Sequence, residues 1–86
     1  MSTMELIREQ LAVLDPSHVE LMDDSARHAG HGAHGGIYRL VVVSPRFNGL
    51  ATMARHRLVY DALRDLMGGQ IHAISITART PTEHHN

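Results

Sequence analysis

The sequence predicts an α+β domain running helix–strand–strand–helix–strand, with a short last helical turn. Three observations carry that prediction. Apolar residues recur at helical spacing near the start and again from about Leu50 to Met67; three other stretches alternate or run apolar as strands do; and Pro- or Gly-bearing breaks separate them. At 86 residues the chain is expected to be one domain, residues 1–86.

Each element has a local reason. Ser2 and Glu5 read as a capping box ahead of Met4, Ile7, Leu11 and Leu14, and Pro16 ends that helix. "HVELMDD" alternates, with Val19 and Leu21 on one side, as a strand does. Residues 25–36 are too Gly-rich for a regular element. "IYRLVVVS" holds a near-continuous apolar run, Leu40 to Val43, that suits a central strand. "PRFNG" is a turn. In the second helix Leu58, Ala62 and Leu66 share a stripe with Val59 and Leu63 beside it, and Gly68–Gly69 stop it. "QIHAISITA" alternates, which would put His72, Ile74 and Ile76 on one face. Thr80, Pro81 and Glu83 suit the start of a last turn.

The first two strands should pair antiparallel across a long loop. The helix between the second and third favours a parallel, right-handed crossover. A three-stranded mixed sheet in the order 1-2-3 follows, with helices mainly on one face. Parallel strands start at the same sheet edge. The loop leading into strand two and His72 at the start of strand three should therefore meet, although some forty residues separate them.

Composition removes several function classes. The chain has no cysteine, which excludes disulfides and any thiolate metal site of its own. Its eight basic residues are all Arg against nine acids, with no basic excess of the kind nucleic-acid binders show. No apolar run approaches the ~20 residues of a membrane span, and no signal peptide is evident, so a cytoplasmic protein is expected. Catalysis has little support: no Ser lies in a G-x-S-x-G context, "GAHGG" opens no helix as a phosphate loop must, and the paired Asp23–Asp24 reads as a turn signal.

The unusual stretch is "RHAGHGAHGG", with His28, His31 and His34 three apart. Imidazole is the commonest nitrogen ligand for borderline metals. A mobile pair plus a strand-anchored His72 would suit zinc, copper or nickel, or part of an iron–sulfur site in which two His serve one iron. The spacing leaves the bland reading open, a solvated Gly-rich connection with incidental histidines. Taken alone, His72 reads as a core-edge histidine bonded to backbone. His56 reads as packing against the sheet. Arg55 and Arg57 read either as a solvated helix face or as contacts to phosphate or an acidic partner. His84 and His85 read as a frayed end without a site role.

These segments together resemble the BolA family. Phe47, Gly49 and Leu50 match its F-x-G-L segment; Arg55, His56, Arg57, Val59 and Tyr60 its R-H-R-x-V-Y helix; Ile71, His72 and Ala73 its I-H-A strand; and Thr80–Pro81 its T-P ending. "DDSARH" looks like the family's acidic loop entry. The resemblance runs from about residue 2 to residue 83. It implies a fold like a class II KH domain, and a non-enzymatic adaptor paired with a monothiol glutaredoxin. The pair would share a [2Fe–2S] cluster with glutathione, two histidines of this chain serving one iron. The implied ligands are His28 and His72, with His31 as a substitute for His28, because the loop departs from the family pattern there.

Two other readings stand beside the adaptor for iron–sulfur trafficking or iron sensing. One is a DNA-binding transcriptional regulator of stress and morphology genes, with Arg55 and Arg57 as contacts. The other is a stand-alone His-loop metal carrier. The apo chain is expected as a monomer or weak homodimer.

Overall fold

The computed structural model describes residues 1–28 and 35–85. Helix α1 spans Thr3–Leu11 and opens on the expected capping box: Ser2 Oγ accepts from the Glu5 amide, and the Glu5 carboxylate accepts from the Ser2 amide, both at 3.1 Å. A 3-10 turn at Ala12–Leu14 carries it to Pro16. Strand β1 is His18–Asp23, β2 Gly36–Val43, α2 Thr52–Leu63, β3 Ile71–Arg79 and α3 Pro81–His85.

The sheet is the one expected. Its order is β1-β2-β3, antiparallel between the first two and parallel between the last two. α1 and α2 cover one face. Ile7 and Leu11 from α1, and Val59 and Leu63 from α2, are fully buried against Leu21, Leu40, Val42 and Ile74 from the strands. Phe47, the chain's single Phe, is fully buried too. Leu, Ile and Val supply most of the rest, as the low aromatic content requires. The other face bears Glu20, Met22, Arg39, Ser75 and Thr77, all exposed. Among the described residues no helix is long and apolar enough to cross a membrane.

Three details differ from the sequence reading. α2 is shorter than 50–67: after Leu63 the chain passes through turns, and Gly68 at φ +80° reverses it with its amide on the Ile71 carbonyl. Residues 25–36 are not irregular throughout, because Ser25–His28 forms a 3-10 turn and Gly36 already belongs to β2. Thirdly, His72 does not share a face with Ile74 and Ile76. Gly36 pairs with Ile71, but Ile37 pairs with Ala73, so His72 is the extra residue of a β-bulge. The bulge keeps Ile71 and Ile74 both buried while His72 is exposed, the kind of re-aiming that bulges produce.

Candidate metal-ligand edge

Strand β3 starts where the turn after α2 is tied to β2. The Gly36 amide donates to the Gln70 carbonyl at 2.9 Å, and the Ile71 amide to the Leu66 carbonyl at 2.9 Å. Gly35 holds φ +85°, and a Cβ there would run into the Gly69 carbonyl oxygen and lie 3.1 Å from the His72 amide nitrogen. Only a glycine allows the backbone entering β2 to approach the His72 bulge this closely.

The other side of this edge is built by Asp23, Asp24 and Ser25. The Ser25 amide donates to Asp23 Oδ1 at 2.8 Å, and the Ser25 hydroxyl accepts from the Ile37 amide at 2.9 Å. The Asp24 amide donates to the Ile37 carbonyl at 2.7 Å. Asp23 is held below the usual carboxylate range, first by the Ser25 hydroxyl and then by the Ser25 amide. The nearly buried Asp24 carboxylate takes a 2.6 Å ion pair from Arg39 Nε. The 3-10 turn that ends at His28 is thus pinned to Ile37, which pairs with Ala73, the residue after His72. Beside it lies a shallow cavity of ≈ 370 Å³ lined by Asp24, Ile37, Arg39, Ala73 and Ser75 among others.

The backbone of His28 and the bulge at His72 therefore belong to one sheet edge. His31 and His34 lie outside the described residues, as does most of the Gly/His segment. His72 is exposed rather than set into the core edge. Among the described residues no group of three or more His, Asp or Glu side chains converges to hold a metal ion.

The arginines separate. Arg55 spends its guanidinium inside the molecule: Nε donates to the Leu50 carbonyl at 2.7 Å, Nη1 to the Ala78 carbonyl at 3.2 Å and to Glu83 Oε1 at 2.6 Å, and Nη2 to Glu83 Oε2 at 3.1 Å. Its side chain is 14% exposed, so the expected phosphate contact would have to break a bidentate internal pair. Arg57 is exposed. His56 does not face the sheet: with Met53, Arg57 and Tyr60 it lines an open cavity on the outer side of α2, where spacings of three and four along a helix place those residues together.

Sequence reasoning missed Gly35, Ser25 and His84. The "DDS" turn signal was available for Ser25. Nothing local marks Gly35, whose role depends on Gly69 and His72. His84 is no frayed residue, since its ring stacks on that of His18, centroids 4.7 Å apart.

A family model described as BolA-like protein matches residues 11–83. This chain belongs to the BolA family. BolA-like protein 1 of Homo sapiens is 44% identical over 70 residues, covering 81% of this chain and 51% of the relative. SufE-like protein 1, chloroplastic/mitochondrial, of Arabidopsis thaliana is 43% identical over 86 residues, covering 90% of this chain and 23% of the relative. This BolA-family chain thus spans about half the length of the first and under a quarter of the second. The solved BolA domain of SufE1 from Arabidopsis thaliana superposes with a TM-score of 0.84 at 41% identity, covering 96% of this chain and 98% of that one. The small α+β domain with a three-stranded mixed sheet is accordingly a BolA fold.

Proposed function

We propose that this BolA-family chain is a non-enzymatic adaptor that pairs with a monothiol glutaredoxin and co-ligates a [2Fe–2S] cluster, for cluster trafficking or iron sensing. The observation that carries this reading is the bulge. It lifts His72 into solvent at the sheet edge where the His28 turn is pinned.

The donor set suits a shared group better than a resident one. The chain offers imidazoles and no thiolate. Two nitrogens from this chain would leave the remaining positions to a partner's cysteine and to glutathione. When bound, the cluster supplies iron for transfer or redox sensing, and histidine ligation raises its potential relative to four thiolates. This chain's part is to present the ligands. β3 holds His72 through the ladder to β2, Gly35 lets the backbone close in beside it, and the Asp23–Ser25–Ile37 relay fixes the start of the His28 segment. The BolA domain found in a SufE-like protein lends coarser support, suggesting work alongside iron–sulfur proteins.

The test mixes the chain with a monothiol glutaredoxin, iron, sulfide and glutathione and reads the visible absorption and circular dichroism. The expected result is a mixed-complex spectrum distinct from that of the glutaredoxin alone. It should be lost in His72→Ala and weakened in His28→Ala, with His28→Ala/His31→Ala behaving as His72→Ala. An unchanged spectrum and cluster stability with folded His72→Ala would overturn the reading.

A further inference from the structure

Strand β3 is an edge of the sheet, and its free side is closed at both ends but open between them. The Ser44 amide donates to the Arg79 carbonyl at 3.0 Å, so Arg79 turns its backbone groups toward β2. Alternation turns those of Thr77 and Ser75 the same way, and those of Ala78, Ile76 and Ile74 outward. Arg55 Nη1 caps the outward Ala78 carbonyl at 3.2 Å. At the start of the strand, the Ile71 amide donates to the Leu66 carbonyl and the Ile71 carbonyl accepts from the Gly68 amide, both at 2.9 Å. Between these closures the amides and carbonyls of Ile74 and Ile76 have no backbone partner among the described residues.

The side chains of this stretch carry none of the devices that usually protect an edge. From Ala73 to Ala78 the sequence reads AISITA, without a charge, a Pro or a Gly. Ala73, Ser75 and Thr77 are exposed, while Ile74 belongs to the core and Ile76 packs against it. The opposite edge strand, β1, carries the exposed acids Glu20 and Asp23.

We propose that the open stretch of β3 is a self-association site, where a second copy of this chain adds its own β3 antiparallel and joins the two sheets edge to edge. The occupant is a second copy because the stretch is complementary to itself. With Ser75 of each copy on a two-fold axis, Ile74 stands opposite Ile76 of the partner subunit, and each such pair exchanges N–H···O bonds in both directions. The two Ser75 side chains meet across the axis and Thr77 lies opposite Ala73, so no charged side chains face each other along the seam. The same addition at β1 would bring Glu20 and Asp23 of both copies into one seam. Arg55 and the turn at Leu66–Gly68 confine the contact to the middle of β3, which makes it short and the association weak and concentration-dependent. The seam needs no metal and stands apart from the iron–sulfur reading.

Analytical ultracentrifugation and amide hydrogen exchange on the full chain test this. The native chain should sediment increasingly as a dimer as its concentration rises to about 1 mM. Over the same range, exchange at the Ile74 and Ile76 amides should slow at least about twofold. Ser75→Glu places like charges opposite each other at an exposed position and should keep the chain monomeric, with its fold checked by circular dichroism. Ser75→Lys should do the same with the opposite sign, and serves alone should Ser75→Glu fail to fold. Mixing Ser75→Glu with Ser75→Lys should restore association beyond that of either alone. The site is refuted by a native chain that stays monomeric across the range, by a dimer whose Ile74 and Ile76 amides exchange as fast as in the monomer, by folded Ser75 variants that dimerise as the native chain does, or by a mixture no more associated than its components.

Discussion

Arg55 of α2 grips both carboxylate oxygens of Glu83 on α3, at 2.6 and 3.1 Å, across 28 residues of sequence. The same carboxylate caps its own helix: the Thr80 amide donates to Glu83 Oε1 at 2.9 Å, and the Glu83 amide donates to Thr80 Oγ1 at 3.2 Å. One side chain thus closes a capping box and an interhelix ion pair.

The pH dependence follows with a definite sign. Glu83 is lowered from 4.5 to about 2 on folding, chiefly by the Arg55 hydrogen bond. Between those values the unfolded chain binds more protons than the folded one, so stability declines as pH falls. The contribution is present in full above the unfolded value and is gone below about 2. Glu83→Gln should remove about one proton from the uptake on acid unfolding, measured by denaturant titrations between pH 5 and pH 2. An unaltered acid limb would contradict the pairing.

The two helix arginines should separate in stability. Arg57 is exposed, and Arg57→Ala should stay within about 0.5 kcal/mol of the native chain. Arg55→Ala strips bonds from the Leu50 and Ala78 carbonyls and from Glu83, and should lower the Tm several-fold more than Arg57→Ala. Thermal melts of the two variants decide this. A DNA-affinity loss seen only in Arg55→Ala would then report a damaged fold, whereas a salt-dependent loss in Arg57→Ala would report a phosphate contact.

Gly35→Ala should be among the costliest single-methyl additions in the chain. The φ of +85° is unfavourable for any L side chain, and the new Cβ meets a backbone oxygen that cannot step aside. Strain of about 2 kcal/mol or more is expected, read as a fall in Tm of roughly 8 °C or more. The His72 amide signal should shift in the NMR spectrum, since its nitrogen lies 3.1 Å from the added Cβ. A variant with native Tm would mean that the backbone can re-route there.

Ser25→Ala tests the His28 side of the edge. It removes the acceptor for the partly buried Ile37 amide and one donor to Asp23. A cost of about 1–2 kcal/mol is expected for the amide left unpaired, together with faster cluster loss from the mixed complex under a chelator. Unchanged chelation kinetics would show that the turn does not position the loop ligand.

The sequence by itself determined the element order and the strand order, and hence that the chain entering β2 lies beside the start of β3. Helical and alternating periodicities are local, and a helical crossover between parallel strands brings their starting edges together. It also determined that this chain offers no thiolate to a metal, because it has no cysteine. The tertiary structure alone decided that the His72 ring faces solvent. His72 leaves the alternation because Gly36 bonds to Gln70 while Ile37 pairs with Ala73, and a bulge is a property of two strands together. Arg55 turns inward because Glu83, remote in sequence, arrives beside it with α3. His84 settles on His18 for the same reason. A window of sequence holds the propensity of its own backbone; it does not hold the identity of the side chain that folding delivers to it from elsewhere.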